Sequence, residues 1–179
     1  GVAPTLGTVL ASGDPADRRF MDLKHEACAE TGIETRDRRF GDDAGSERLR
    51  EAVADLSADP TVDAVFVQAP LPAGVDPMTV RERVDPAKDV DCFHPENLGR
   101  LVAGDPRYLP ATPAAVSRLL AFYGVETAGA DVTVVGRSPA IGRPIATLLS
   151  QDRTPGNATV TVCHSRTDDL GAKTRAADV

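Results

Sequence analysis

The sequence contains few cysteines and no long apolar run, and each shortage excludes a class of protein. The three cysteines, Cys28, Cys92 and Cys163, are far apart and odd in number, which argues against a disulfide framework and against a C-x-x-C metal or redox pair. No stretch approaches the roughly 18 apolar residues of a membrane span, and the first residues lack the pattern of a secretion signal. We therefore predict no membrane partner and a cytoplasmic location.

Lysine is also scarce, and acidic residues outnumber basic ones. The chain has 27 acidic and 20 basic side chains, a formal net charge of −7, and only three lysines, Lys24, Lys88 and Lys173. This balance argues against nucleic acid as a partner, although it is compatible with a local phosphate pocket. A salt-adapted source and a GC-rich source both explain the composition.

The histidines show no metal-binding spacing. His25, His94 and His164 are scattered along the chain, and none has an H-x-x-x-H partner. The sequence therefore predicts no metal ion.

Strand-like runs alternate with helix start and stop signals along the first part of the chain. Asp14 can cap a helix that has Pro15 in its first turn, and Gly32 is a natural stop for that helix. The predicted elements are a strand over residues 6–11, a helix to about 31, a strand over 33–40, an acidic-capped helix near 44–57 and a strand over 62–68. This order predicts a parallel sheet with helices on its faces, and ligands beyond the carboxyl ends of the strands.

A second α/β unit follows the first. The elements predicted between and within the units are short helices after Pro77 and over 95–102, a joining helix from Pro113 to Tyr123, and strands over 131–135 and 158–163. The fold class is therefore α/β, with two domains over residues 1–124 and 125–179. After Ser165 only one helical stretch remains, and residues 176–179 resemble the lead-in to a third strand. We expect the chain to be part of a longer protein.

Residues 134–144, with the sequence VVGRSPAIGRP, form the most informative stretch. An apolar strand runs into a turn that opens a helix, and Gly136 and Gly142 mark places where the backbone turns tightly or approaches a ligand. The glycine spacing differs from the G-x-G-x-x-G fingerprint of dinucleotide-binding folds. The stretch predicts a phosphate-gripping unit; the alternative is two ordinary turn glycines beside a solvated Arg137.

The strand over 158–163 ends in His164, Ser165 and Arg166, where a usual NAD-binding fold has a carboxylate for the ribose 2′-hydroxyl. Donors from Arg137, Ser165 and Arg166 suit a 2′-phosphate instead. The pattern therefore favours NADP over NAD.

On the first helix, Phe20 and Lys24 share a face, and we place them close to an apolar stripe. The residues of this predicted stripe are Ala16, Leu23 and Ala27, whereas His25 points elsewhere. A lysine at the border of an apolar stripe is usually a surface residue. A partly buried lysine, however, has its charged form disfavoured and can transfer protons near neutral pH.

Six blocks, taken together, resemble the bifunctional methylenetetrahydrofolate dehydrogenase/methenyltetrahydrofolate cyclohydrolase family. They are GDPA at 13–16 with F-x-x-x-K at 20–24, VQAPLP at 67–72, KDVDCFH at 88–94, PATP at 110–113, GRS-x-x-IG-x-P at 136–144, and ATVTVCHS-x-T at 158–167. They occur in the family's order and cover nearly the whole chain.

The resemblance implies two reactions on one folate: oxidation of methylenetetrahydrofolate to the methenyl form by NADP⁺, and hydrolysis of that form to 10-formyltetrahydrofolate. It implies a folate-binding catalytic domain, a Rossmann-like NADP-binding domain and a homodimer. Lys24 matches the lysine that assists proton movement and water attack, and Gln68 the glutamine that tunes it. The other matched positions are Phe20, Asp91, Pro70 and Leu71 for the substrate, and Gly136, Arg137, Ser138, Ile141, Gly142, His164 and Ser165 for NADP.

Four positions depart from the family pattern. Phe20 replaces a tyrosine, so it keeps a ring that can stack on folate but lacks the hydroxyl donor. Cys92 and Ala115 replace glycines, and Ala111 replaces a cysteine. These changes concern the hydrolytic step more than cofactor binding. The alternatives are a non-catalytic folate- or nucleotide-binding relative and another two-domain NADP-dependent dehydrogenase.

Overall fold

A computed structural model describes residues 3–179, which form two compact units that divide between Val90 and Asp91. The first unit has the elements β1 (Thr5–Ala11), α1 (Pro15–Glu30), β2 (Glu34–Phe40), α2 (Ser46–Ala58), β3 (Ala64–Val67) and α3 (Pro77–Arg81). Its three strands are parallel in the order β2-β1-β3. The predicted β-α-β-α-β order is confirmed.

The two faces of this sheet pack against different helices. Val9 and Val65 point to the face covered by α2 and α3, where they meet Leu49, Val53 and other buried apolar side chains. The register pairs Thr8 with Asp37 on one side and with Phe66 on the other. Since side chains alternate along a strand, these three residues lie on the opposite face, which α1 covers.

The predicted apolar stripe of α1 is wrong. Leu23 is 45% exposed and Ala16 and Ala27 are also exposed, whereas the helix buries Met21 and Cys28. The buried face includes a polar contact with the sheet, in which His25 Nε2 lies 3.0 Å from Thr8 Oγ1. Because this face mixes polar and apolar residues, counting apolar positions selected the wrong side of the helix.

The two ends of α2 also differ from the sequence interpretation. Within the described residues the helix begins at Ser46 without a side-chain cap, because its N-cap residue is Gly45, and the nearby Asp42 carboxylate accepts a hydrogen bond from the Gly13 N–H at 2.8 Å. At the other end, Lys88 Nζ donates to the carbonyl oxygens of Ser57 and Asp59, at 2.7 and 2.8 Å. Hydrogen bonds from the Thr61 hydroxyl and N–H hold the pKa of the Asp59 carboxyl below its ordinary value. The two hydrogen bonds from Lys88 Nζ therefore stabilise the carboxyl-terminal end of α2.

The second unit has the elements α4 (Pro95–Val102), α5 (Ala111–Phe122), β4 (Asp131–Val135), α6 (Gly142–Ser150), β5 (Thr159–Cys163) and α7 (Leu170–Arg175). Strands β4 and β5 are parallel, with Val135 paired to Cys163. Residues 176–179 form no strand, but Thr133 N–H donates to the carbonyl of Val179 at 2.8 Å. The segment that we expected to lead into a third strand therefore lies beside β4. The functional division into residues 1–124 and 125–179 stays a prediction.

None of the helices in residues 3–179 combines the length and apolar character that a membrane crossing requires.

Ser117 provides a test of packing in α5. Its hydroxyl is buried and has no hydrogen-bond partner among the described residues. Ser117→Ala is expected to raise the free energy of unfolding by up to about 1 kcal/mol, because it removes an unsatisfied polar group and adds helix propensity. Urea unfolding measures the change. Ser150→Ala, at an exposed site in α6, should change stability by less than about 0.5 kcal/mol; a clear loss at Ser117 alone contradicts this interpretation.

Candidate functional site

The ammonium group of Lys24 lies close to the faces of two phenyl rings. Its Nζ is 3.3 Å from the ring centroid of Phe20, one turn earlier on α1, and 4.6 Å from that of Phe66 on β3. Both distances are within the range of a cation–π interaction. Phe20 is 53% exposed, and Lys24 is half-buried. The sequence placed Phe20 and Lys24 on one face, and the structure brings them into contact.

Gln68 extends β3 by one residue, since its N–H donates to the carbonyl of Val9 at 2.9 Å. By strand alternation its side chain lies on the same sheet face as Phe66. Its Nε2 donates to the carbonyl of Ala69 at 2.7 Å, whereas its Oε1 is buried and has no hydrogen-bond partner in residues 3–179. A buried oxygen left unpaired costs about 1–3 kcal/mol. Gln68 is therefore ready to accept a hydrogen bond on the face where Lys24 lies.

The loop after Gln68 contains Pro70 and Leu71. The peptide bond between Ala69 and Pro70 is cis, and Pro70 is exposed. Leu71 is half-buried and packs against the core beneath α2 and α3. Pro70 is thus open to a ligand, while part of Leu71 serves the core. Substrate contact by these two residues stays a prediction.

A polar network beneath α1 was missed by the sequence interpretation. The Thr8 hydroxyl donates to Asp37 Oδ1 at 2.9 Å, and His25 Nδ1 lies 3.8 Å from Asp37 Oδ2. Arg39 bridges Asp37 and Asp22, and its hydrogen bond holds the pKa of the Asp22 carboxyl below its ordinary value. This network joins α1, the helix that carries Lys24, to β1 and β2. The only hint in the sequence was the run of alternating charges in β2.

Asp91 opens the second compact unit, so it belongs to a different unit from Lys24 and Gln68. It is half-buried, and the next residue, Cys92, is fully buried with a φ of 58°. A positive φ favours glycine. The backbone conformation therefore explains why the family that this chain resembles has glycine at this position.

The predicted phosphate-gripping turn follows β4. Gly136 has a φ of 148°, and its N–H donates to the carbonyl of Cys163 at 2.8 Å. A Cβ on Gly142 would lie 2.3 Å from the carbonyl oxygen of Gly136. Glycine is required at residue 142 because the turn folds back onto its own backbone.

Ser138 caps the helix that this turn opens. Its Oγ accepts hydrogen bonds from the N–H groups of Ile141 and Gly142, at 3.1 and 3.3 Å. Its carbonyl accepts from Arg143 N–H at 3.0 Å. These bonds occupy the first amides of α6, and a serine hydroxyl that accepts hydrogen bonds can also donate one. Arg137 and Ile141 are exposed.

The turn after β5 is held by its own hydrogen bonds. His164 N–H donates to Thr167 Oγ1 at 2.8 Å, and His164 Nδ1 accepts from Arg166 N–H at 3.2 Å. Ser165 and Arg166 are exposed. Because β4 and β5 are parallel and in register, this turn and the turn that contains Arg137 leave the sheet at the same edge. The structure therefore places the predicted 2′-phosphate donors along one edge.

Comparison with known proteins covers both units. A family model described as the catalytic domain of tetrahydrofolate dehydrogenase/cyclohydrolase matches residues 1–91, and one described as its NAD(P)-binding domain matches residues 110–179. A relative from Haloarcula marismortui, named Bifunctional protein FolD 2, is 52% identical over 179 residues, which is 100% of this chain and 60% of the relative. The chain thus spans about 60% of the length of the curated relatives it matches.

Solved structures of similar enzymes have the same fold. The FolD methylenetetrahydrofolate dehydrogenase/cyclohydrolase from Campylobacter jejuni is 36% identical with a TM-score of 0.90, over 99% of this chain and 62% of that one. The Trypanosoma brucei enzyme, complexed with NADP cofactor and inhibitor, is 34% identical with a TM-score of 0.88, over 98% and 59%. By sequence and fold, the chain belongs to the tetrahydrofolate dehydrogenase/cyclohydrolase family.

Proposed function

We propose that this chain carries the catalytic lysine and the NADP site of an enzyme that oxidises 5,10-methylenetetrahydrofolate and hydrolyses the methenyl product to 10-formyltetrahydrofolate. The observation that carries the proposal is that Lys24, close to two rings, and Gln68, whose buried Oε1 has no hydrogen-bond partner in residues 3–179, lie on the same sheet face. Family membership and the named activities of the relatives support it.

The chemistry of hydrolysis fits these groups. The methenyl carbon is part of a cation and is already electrophilic, so the protein mainly has to orient the folate, position water and move protons. Lys24 assists attack by water and the proton transfers that open the ring. Gln68 accepts a hydrogen bond through Oε1 and thereby orients its partner. We assign Phe20, Asp91, Pro70 and Leu71 to folate binding.

The edge of the β4-β5 sheet suits NADP, which when bound supplies the hydride acceptor for the first reaction. Gly142 permits the close backbone turn, and the Ser138 hydroxyl and the Arg137 guanidinium are donors for phosphate oxygens. Ser165 lies on the neighbouring turn, where the 2′-phosphate is expected. The other proposed cofactor contacts are Gly136, Ile141 and His164.

The proposed assembly is a homodimer in the cytoplasm, with tetrahydrofolate derivatives as substrates. The family resemblance supports this assembly. Sedimentation of the full-length protein at several concentrations tests it, and a monomer throughout the range contradicts it.

The non-catalytic alternative is favoured by departures from the family pattern, among them the missing phenol hydroxyl at Phe20 and the cysteine at residue 92. Steady-state assays and calorimetry on one full-length preparation separate the two functions. We expect NADPH to form from methylenetetrahydrofolate, and the methenyl form to be hydrolysed. Folate and NADP binding without turnover would instead establish a binding protein. Turnover with NAD⁺ alone would contradict the assignment of Arg137 and Ser165.

A further inference from the structure

The second ring beside Lys24 has no counterpart in the sequence motif. The motif F-x-x-x-K accounts for Phe20, which lies one helical turn from the lysine. Phe66 is on a different element, β3, and its ring centroid is 4.6 Å from Lys24 Nζ. Contact between α1 and β3 at this point therefore depends on the tertiary structure.

The two rings differ in how firmly they are held. Phe20 is on the outer side of a helix and is 53% exposed. Phe66 is half-buried, and its backbone is paired with Thr8, which is 0% exposed, in the middle of the parallel sheet. The sheet thus holds Phe66 in place, and the flexible lysine side chain can pack against its ring.

The contacts of Lys24 with both rings also have a chemical consequence. Lysine loses considerable side-chain entropy when it is held in one place, and ring contacts compensate for part of this loss. Neither ring has a hydroxyl that could accept a hydrogen bond from the ammonium group. The faces of the two rings therefore contribute to the position of the ammonium group.

We propose that Phe66 is a positioning residue for Lys24, which holds the ammonium group in place for hydrolysis of the methenyl substrate. The kinetic part of this inference rests on the proposed function. The structural part, contact between the Phe66 ring and the lysine, does not depend on it.

The experiment uses the scarcity of lysine. Full-length protein labelled with ¹³C at lysine Cε gives signals that can be assigned by single substitutions of the three lysines in residues 1–179. Phe66→Leu and Phe66→Met remove the ring, and Phe66→Tyr keeps it. Phe40→Leu is the matched control, since the Phe40 ring also lies near a cation, with Arg48 Cζ 5.0 Å from its centroid.

We expect the Lys24 Cε proton signals to move downfield in Phe66→Leu and Phe66→Met, because the ring current of Phe66 is lost. Phe66→Tyr should keep the shift, and Phe40→Leu should leave it unchanged. In the same samples, kcat for hydrolysis of methenyltetrahydrofolate should fall about tenfold without the ring, with little change in KM, and Phe66→Tyr should restore it.

Two results would overturn the proposal. If the Lys24 signal does not move in either variant without the ring, Phe66 does not contact Lys24. If the signal moves but kcat is unchanged, Phe66 does not position Lys24 for hydrolysis. If the wild-type protein shows no hydrolysis at all, the proposed function fails, while the NMR shift still decides whether the ring contacts Lys24.

Discussion

Lys24→Met should slow hydrolysis of methenyltetrahydrofolate by about 10²- to 10⁴-fold, the usual contribution of a positioned proton-transfer group. Methionine keeps an unbranched side chain of similar length beside the Phe20 and Phe66 rings but has no group that exchanges protons. NADP affinity should be unchanged, because the proposed cofactor residues lie in the second compact unit. Stopped-flow absorbance of the methenyl form measures the hydrolysis, and calorimetry measures NADP binding.

Lys173→Met is the matched control for this prediction. Lys173 lies in the last turn of α7 and is exposed, so the same change there should leave hydrolysis within about twofold of wild type. If Lys24→Met hydrolyses the substrate as fast as Lys173→Met, Lys24 has no part in the reaction. If both variants lose activity equally, the loss reflects a general effect of removing lysine.

Gly142→Ala should abolish measurable NADP binding and destabilise the second unit by about 3 kcal/mol or more, at the upper end for an overpacking substitution. The new Cβ would lie 2.3 Å from the Gly136 oxygen, 2.5 Å from the Gly136 carbonyl carbon and 2.8 Å from the Arg137 nitrogen. All three are backbone atoms of the turn, so relief of the clash must move the segment that carries Arg137 and Ser138. Calorimetry and urea unfolding measure the two effects.

Gly99→Ala controls for the general effect of adding a methyl group to a glycine in this unit. Gly99 lies within α4, and a Cβ there meets no atom of the described residues within 4 Å. Alanine has the higher helix propensity, so this variant should be more stable than wild type by up to about 1 kcal/mol and should bind NADP normally. Normal NADP affinity in Gly142→Ala would mean that the turn does not grip the cofactor.

Much of the fold was predictable because its signals are local. Asp14 and Pro15 start α1 as expected, and the Asp14 side chain accepts from Ala16 N–H at 2.8 Å. The strand-turn-helix unit at 131–150 likewise follows from a β-branched run and two glycines whose roles depend on nearby backbone. The acidic cap of α2 was mispredicted because the helix begins at Ser46, which makes Gly45 its N-cap residue.

The features of the candidate site also separate into those that the local sequence predicts and those that depend on tertiary packing. The sequence by itself determined the family blocks, the shared face of Phe20 and Lys24, and the absence of a carboxylate at residues 164–166, directly after β5, because each is a matter of residue type and short spacing. Only the tertiary structure decided that Phe66 contacts Lys24, that Gln68 Oε1 is buried without a hydrogen bond in residues 3–179, and that α1 buries Met21 and Cys28. These features depend on which strand and helix faces meet, and residue spacing within one element carries no information about the partner that packs against it.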